Sequence, residues 1–201
     1  MKKQKILFTS TNKSKIKEVK EILKDYEILS LNDIGYRENI IENGKTYLEN
    51  SLIKLNKLKE FFPNMIILSD DSGFEIEELP NIMGVKTHRY MGVNTSIDKK
   101  IHKLLKIMKN KKNRNIKLRC CLTLYIPKNN LIYIIEETTL GKLSFYLKGN
   151  KGFGYDKIFF DKKLNKTFAE MTIKQKNKIS ARGLAGKKVL EILKINERSE
   201  K

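Results

Sequence analysis

The sequence predicts an α/β fold with one mixed sheet flanked by helices. Short, continuous apolar runs such as residues 65–68 are typical of buried strands, and the segments between them repeat apolar residues every three or four positions, as amphipathic helices do. Residues 116–126 alternate between the two faces of a strand and precede a turn at residues 127–130, which predicts an antiparallel hairpin. No repeat or low-complexity linker divides the 201 residues, so we expect one domain of ordinary size, or two small lobes.

The same apolar periodicities, together with capping and breaking residues, predict the individual elements. Pro63 ends the second helix, and Thr172 with Gln175 has the spacing of a capping box at the start of a long C-terminal helix. Strands are predicted at residues 6–8, 27–31, 65–68, 116–126 and 131–135, and a short aromatic strand after a glycine-rich loop at 149–154. Earlier helices are predicted around residues 16–23, 45–62 and 101–108.

The composition is strongly basic. Lysine and arginine number 42 against 23 aspartate and glutamate, and the net charge of +19 is spread along the whole chain. Such a charge attracts polyanions, including a nucleoside triphosphate, whereas nucleic-acid binders more often cluster their charge on one face. The apolar runs are too short for a membrane span or a signal peptide. Cys120 and Cys121 are adjacent in a predicted strand and point to opposite faces, so we expect unpaired thiols in a reducing cytoplasm.

Two polar segments in the first half of the chain can carry chemistry. Residues 10–15 lie between a strand and a helix, and they offer backbone N–H groups, hydroxyls and two ammonium groups to a phosphate. The alternative is a capped helix start with solvated lysines. Asp70 and Asp71 follow a buried strand and point to opposite faces, so one can hold a magnesium ion or orient a water while the other braces the turn. The alternative is a simple turn that caps the strand.

Two more segments lie in the second half. In residues 149–156 the glycines allow a close approach of the backbone to a ligand, Phe153 can stack on a base, and Asp156 can accept hydrogen bonds. The alternative is a flexible turn with a core phenylalanine. In residues 176–182, Arg182 can donate a forked pair of hydrogen bonds to a keto oxygen and Lys176 can reach a ribose or phosphate. A solvated basic helical face is the alternative.

Taken in order, these segments resemble the inosine/xanthosine triphosphate pyrophosphatase family, from Thr9 to about Gly186. The family's T-G-N-x-x-K resembles residues 10–15, with Thr11 in place of the glycine. Its E-x-G-x-T-x-x-E-N-A-x-x-K is similar to residues 42–54. The remaining matches are D-D-S-G-F at 70–74, G-V-x-x-x-R-Y at 84–90, G-F-G-Y-D at 152–156 and F-A-E-M-T at 168–172.

The resemblance implies a fold and an activity. The expected fold is an elongated, twisted mixed sheet flanked by helices, with two lobes and the active-site cleft between them, formed by one nucleotide pyrophosphatase domain over residues 1–201. The implied reaction cleaves ITP, dITP or XTP between the α- and β-phosphates and releases a monophosphate and pyrophosphate. The resemblance also implies a magnesium ion and a homodimer.

The resemblance assigns residues to these tasks as well. Asp71 is the implied general base and a magnesium ligand, and Glu42 is the second carboxylate, with Glu38 as a rival because the alignment slips easily there. The implied substrate-binding residues are Ser10, Thr11, Asn12, Lys13, Ser14, Lys15, Lys54, Ser72, Phe153, Gly154, Tyr155, Asp156, Lys176, Ala181 and Arg182.

One departure from the family pattern matters for the site. The family usually has Ser-His-Arg where this chain has Ser180, Ala181 and Arg182, so one polar contact is missing. An arginine donating to the purine O6 favours hypoxanthine and xanthine over adenine, which presents an amino group there.

Two alternatives to the main hypothesis remain. One is a related nucleotide pyrophosphatase with altered base preference, and the other is a nucleic-acid-binding module that has lost catalysis.

Overall fold

Residues 3–198 are described by the computed structural model, and their strands form one mixed sheet. The strands are β1 (Lys5–Phe8), β2 (Glu27–Ser30), β3 (Ile66–Ile76), β4 (Asn115–Ile126), β5 (Leu131–Leu143), β6 (Phe159–Asp161) and β7 (Lys166–Thr167). The helices are α1 (Lys13–Ile22), α2 (Tyr47–Phe61), α3 (Ile97–Ile107), α4 (Ile173–Asn177) and α5 (Ala181–Arg198).

The strand order is β2-β1-β3-β4-β5-β6-β7. β1 runs parallel to both of its neighbours, with Ile6 opposite Ile28 of β2 and opposite Ile66 of β3. β6 runs antiparallel to both β5 and β7. The prediction of an α/β fold with a mixed sheet is therefore confirmed.

The chain divides into two compact units, and three of the four borders fall inside β3, β4 and β5, while the fourth lies just before α5. The first unit comprises the residues up to Asp71, Cys120–Glu137 and the residues from Ala181 onward, and the second comprises Ser72–Arg119 and Thr138–Ser180. Each unit has its own apolar core.

In the first unit, helix caps and close packing define the elements around β1. The side chain of Asn12 caps α1 by accepting hydrogen bonds from the N–H groups of Ser14 and Lys15, and Thr46 caps α2. The apolar residues of β1 are fully buried, as expected for a central parallel strand. α5 packs closely on α1 at Gly186, where a Cβ atom would lie 2.9 Å from Cγ2 of Ile22. This contact requires glycine.

In the second unit, aromatic rings and one buried arginine hold the elements together. Phe159 packs against Phe168 with ring centroids 4.3 Å apart. The guanidinium of Arg114 donates to three main-chain carbonyls, those of Met108, Leu143 and Ser144, at 2.8–3.0 Å. These bonds tie the end of α3 to the end of β5.

The strand prediction for residues 65–68 was too short. β3 continues to Ile76, so Asp70 and Asp71 lie within the strand and neither follow it nor form a turn. Polar residues normally end a buried strand, because an unpaired charge in the interior costs several kcal/mol. Here Lys15 and Arg182 neutralise Asp70, so the strand can continue.

The long C-terminal helix predicted from Thr172 is two helices. Thr172 and Gln175 do form a capping box, but it caps the short helix α4, and α5 starts at Ala181. The N–H of Ile179 bonds to the carbonyl of Lys176, three residues earlier, which tightens the end of α4 and separates the two helices. Lys176 and Arg182 therefore lie on different helices.

Other predictions agree with the structure or were incomplete. The hairpin of β4 and β5 is present, but β5 extends beyond the predicted residue 135, and the two-residue strand β7 was not predicted. Cys120 and Cys121 are free thiols, as predicted, and both are buried. No helix within residues 3–198 is both long and apolar enough to cross a membrane.

Candidate active site

Asp70 lies in the first unit, in an anionic and cationic cluster that is almost inaccessible to solvent. Its Oδ2 accepts a hydrogen bond from Nε of Arg182 at 2.6 Å, and its Oδ1 accepts from Nζ of Lys15 at 2.6 Å. Burial would by itself raise the pKa of Asp70, but the positive charges of Arg182 and Lys15 outweigh burial and hold the pKa well below its usual range. Asp70 is therefore ionised, and both of its carboxylate oxygens bond to these two cations.

Arg182 has a second anionic partner. Its Nη1 donates to Oε2 of Glu18 at 2.7 Å, and burial of the guanidinium is offset by Asp70 and Glu18, which raise its pKa well above the ordinary value. The sequence predicts that Arg182 can donate to a keto oxygen, and in the structure its guanidinium donates to the carboxylates of Asp70 and Glu18. Glu18 was missed. The available signal was its position in α1, next to buried Val19 and three residues after Lys15.

Asp71 has different partners from Asp70 and only 8% of its surface is exposed. Its Oδ2 accepts a hydrogen bond from Nδ2 of Asn50 at 3.0 Å. Burial raises the pKa of Asp71 above its ordinary value, the charges of Lys54 and Lys15 and the Asn50 bond oppose this rise, and the negative charge of Glu42 adds to it. A buried carboxylate with a raised pKa is suited to accepting a proton.

Lys54 connects the loop before α2 to β3. Its Nζ donates to Oε2 of Glu42 at 2.8 Å and to the carbonyl of Asp70 at 2.7 Å. Of the two rival carboxylates, Glu42 is thus beside Lys54 and affects the pKa of Asp71. Glu38 instead accepts a hydrogen bond from the hydroxyl of Tyr36 at 3.3 Å.

The acidic residues of this unit suit a divalent cation whose coordination shell is completed by a ligand. Residues 3–198 contain no group of three or more His, Cys, Asp or Glu side chains able to hold a metal by themselves. Magnesium typically takes one or two carboxylates and completes its shell with water and phosphate oxygens. Asp71 and Glu42 supply two carboxylates of this kind, so they fit magnesium bound together with a polyphosphate.

Residues 10–15 serve the helix cap and the charged cluster at the same time. The Asn12 side chain occupies the N–H groups of Ser14 and Lys15, at 3.0 and 3.2 Å, and Ser10 Oγ accepts from the N–H of Asn12. Thr11 and Lys13 are exposed. The predicted capped helix start is present, and of its two predicted ammonium groups it is Lys15 that reaches Asp70.

A second cluster lies in the second unit, around Asp156. Its Oδ2 accepts from the N–H of Phe153 at 2.9 Å and from Nζ of Lys176 at 2.5 Å, and the same ammonium lies 4.6 Å from the centre of the Phe153 ring. Gly152 has a φ of +71°, and a Cβ atom there would lie 2.2 Å from the Asp156 carboxylate. The glycine is therefore required for this turn, which presents the partly exposed Phe153 ring.

The other predicted residues occupy varied environments. The ring of Tyr155 is stacked on Phe74 in the core of the second unit, with centroids 4.9 Å apart. Gly154 has a φ of +58°. Ser72 lies in β3 and is partly buried, and Ala181 is the buried first residue of α5. Asn50, which bonds Asp71, was part of the motif at 42–54, but the sequence analysis assigned no role to it.

An open α/β sheet whose strand β3 carries two buried carboxylates, with the ammonium groups of Lys15 and Lys54 beside them, is typical of proteins that bind a phosphorylated small molecule together with a divalent cation. Comparison with known families is consistent with this class. The model of the Ham1 family matches residues 6–192, and the chain belongs to that family.

Individual relatives match over nearly the whole chain. A protein of Clostridium perfringens named dITP/XTP pyrophosphatase is 39% identical, covering 95% of this chain and 98% of the relative. A Bacillus subtilis protein with the same name is 37% identical, covering 93% and 96%. The structure of the Staphylococcus aureus Ham1 protein matches with a TM-score of 0.81 at 30% identity over 98% of this chain and all of that one. A HAM1 protein from Coxiella burnetii matches with a TM-score of 0.83 at 31% identity over 95% and 98%.

Proposed function

We propose that this chain is a nucleoside triphosphate pyrophosphatase that hydrolyses dITP, XTP and ITP to the monophosphate and pyrophosphate. The observation that carries the proposal is the arrangement around Asp71, a buried carboxylate with a raised pKa, near the ammonium groups of Lys54 and Lys15. The names of the relatives, dITP/XTP pyrophosphatase, support the same substrates. Removal of such nucleotides from the nucleotide pool is the proposed role.

Lys15 and Lys54 are the central residues of the proposed phosphate site. Lys15 and Lys54 each lie against a carboxylate or carbonyl of the chain, so they are held in place before the substrate arrives. Lys13 and the hydroxyls of Ser10, Thr11 and Ser14 add further donors to the phosphates. Fixed cations stabilise the charge that develops on the phosphates without reorganisation during the reaction.

Asp71 is the general base that takes a proton from the attacking water. Burial raises the pKa of Asp71, and the positive charges of Lys54 and Lys15 oppose this rise and so favour the ionised form that a base needs. Asp71 and Glu42 are the proposed magnesium ligands. A bound magnesium ion would lower the pKa of its water and neutralise charge on the phosphates.

A further set of residues is proposed to bind the nucleoside. The ring of Phe153 stacks on the base, and Asp156 and Lys176 supply an acceptor and a donor beside it. Ser72, Gly154 and Tyr155 complete this part of the proposal. Arg182 is proposed to favour a purine with O6, and Ala181 removes a polar contact that the family usually provides. The protein is further proposed to be a cytoplasmic homodimer.

A pyrophosphate-release assay on eight nucleotides, with and without magnesium, tests the proposal. We expect ITP, dITP and XTP to be hydrolysed in preference to the standard nucleotides, and only with magnesium. Asp71→Asn keeps the shape of the side chain but removes the base and a negative ligand, so turnover should be almost lost while nucleotide binding survives. An Asp71→Asn variant as active as its parent contradicts the assignment of the base.

Ala181 favours a second candidate, a pyrophosphatase with altered base preference. ITP and XTP hydrolysed no faster than GTP or dTTP would favour it. Salt-sensitive oligonucleotide binding without pyrophosphate release from any triphosphate would favour a non-catalytic nucleic-acid-binding module.

A further inference from the structure

Asn50 links the two parts of the first unit that carry the proposed magnesium ligands. It lies in the first turn of α2, and only 1% of its surface is exposed. Its Nδ2 donates to Oδ2 of Asp71 at 3.0 Å, and its Oδ1 accepts a hydrogen bond from the N–H of Gly44 at 2.8 Å. One amide group thus holds a carboxylate of β3 and the loop that contains Glu42.

The chemistry of the two bonds requires an amide in one orientation. The group toward Asp71 must donate, because the carboxylate only accepts, and the group toward Gly44 must accept, because a backbone N–H only donates. Turning the amide over would place two acceptors together and two donors together. The Asn50 side chain is therefore locked, and it fixes the rotation of the Asp71 carboxylate.

The loop is shaped to allow this contact. A Cβ atom on Gly44 would lie 2.7 Å from Oδ1 of Asn50 and 2.7 Å from Cβ of Glu49. Only glycine lets the backbone come this close to the helix. The N–H of Lys45 also bonds to Oε2 of Glu49 at 2.6 Å, so consecutive backbone groups of the loop are tied to the first turn of α2.

We infer that Asn50 is a positioning residue that orients Asp71 and holds the Glu42 loop at one distance from it, so that both carboxylates can bind one divalent cation. This inference rests on the proposed function. Residues that orient metal ligands through hydrogen bonds typically contribute about 10–100-fold to metal affinity or activity.

The test compares Asn50→Ala with Ser51→Ala. Ser51 is the next residue of α2, is fully buried and forms a hydrogen bond of 2.9 Å with Thr123. Ser51→Ala therefore also removes a buried hydrogen bond of α2, but not one made to Asp71. Manganese binding is measured by electron paramagnetic resonance in the presence of a non-hydrolysable α,β-methylene analogue of ITP. Turnover of ITP is measured separately, as kcat and KM.

We expect Asn50→Ala to weaken manganese binding by about 10–100-fold and to lower kcat more than it raises KM. Ser51→Ala should stay within about twofold of the parent in both measurements, because the Ser51 hydroxyl bonds to Thr123 and not to a proposed magnesium ligand. Thermal unfolding checks that both variants fold. Asn50→Asp, which keeps the shape and the acceptor toward Gly44, should also lower kcat because it replaces the donor to Asp71 with a second negative charge.

A folded Asn50→Ala or Asn50→Asp variant whose kcat matches that of Ser51→Ala would overturn the inference, and so would Asn50→Ala with manganese affinity equal to that of Ser51→Ala. A parent protein that releases no pyrophosphate from any triphosphate would instead overturn the proposed function. The manganese measurement does not depend on turnover, so the two failures can be told apart.

Discussion

The guanidinium of Arg182 makes a forked contact with the carboxylate of Asp70, with Nε 2.6 Å from Oδ2 and Nη2 3.3 Å from Oδ1. Forked arginine–carboxylate pairs are among the strongest and most directional polar contacts in proteins. This pair joins the start of α5 to the middle of β3, although the residues are 112 positions apart in the chain. Arg182 therefore contributes to the stability of the first unit, apart from any contact that it makes with the substrate.

Replacing Arg182 with alanine should strongly destabilise the protein. Asp70 and Glu18 would remain buried without their shared partner, and breaking a buried ion pair on one side costs about 3–5 kcal/mol. The free energy of unfolding, measured with urea, tests this. Arg119→Ala is the control, because its side chain is more exposed and its 3.8 Å contact with Glu75 should contribute less than about 1 kcal/mol. An equal loss in the free energy of unfolding for both variants would mean that the buried Arg182 pairs stabilise the fold no more than the Arg119 contact does.

Replacing Gly152 with alanine should disrupt the turn around Asp156. Both Gly152 and the control, Gly35, have φ near +70°, but an added Cβ meets the Asp156 carboxylate at 2.2 Å only at Gly152 and meets nothing within 4 Å at Gly35. Gly35→Ala should cost about 1 kcal/mol, which is the penalty of the left-handed backbone. Gly152→Ala should cost more and should also raise KM for ITP, because Asp156 orients the Phe153 backbone. A KM unchanged by Gly152→Ala would contradict the assigned role of this turn.

Lys54 should be essential for turnover, and its neighbour Lys57 should not. Lys54→Met removes an ammonium that contacts both Glu42 and β3, and loss of one such fixed charge at a reacting group typically costs about 10²–10³ in kcat. Lys57 lies on the same helix but its side chain is only half-buried, with its ammonium over the Phe61 ring. Steady-state pyrophosphate release measures both variants. Comparable activity in Lys54→Met and Lys57→Met would remove Lys54 from the phosphate site.

The hydroxyl of Tyr26 should stabilise the fold below pH 10 and lose this effect above it. It donates to Oε1 of Glu197 at 2.7 Å, and burial together with the charge and hydrogen bond of Glu197 raises the pKa of Tyr26 above its ordinary value of 10.0. The neutral form is therefore favoured in the folded state. The contribution of the Tyr26 hydroxyl to the free energy of unfolding is fully present below the pKa that Tyr26 has in the unfolded chain. This contribution decreases as the pH rises above that pKa.

The comparison of Tyr26→Phe with the parent measures this contribution. Loss of the hydrogen bond should cost about 1 kcal/mol at pH 8, and the difference from the parent should shrink above pH 10. Tyr146→Phe, at an exposed position, is the control and should match the parent throughout. If the difference in stability between Tyr26→Phe and the parent grows above pH 10, the predicted direction of the pH dependence is wrong.

Most strands and helices were predictable, although not always to their full length, because their signals are local. β1 and α1 are given by apolar periodicity, and Thr46 and Pro63 mark the ends of α2 in the sequence itself. The extension of β3 through Asp70 was not predictable. A single sequence assigns two consecutive carboxylates to a strand end, because it does not reveal that Arg182 and Lys15 will neutralise one of them.

The order of the motifs by itself determined the family and the residue types of the candidate site. Only the tertiary structure decided how those residues divide their work: Asp70 is held by two cations, whereas Asp71 is held by Asn50 and its pKa is raised by burial. The physical reason is that ionisation and orientation depend on which distant side chains come within a few ångströms. Such distances are set by packing, and spacing along the chain does not contain them.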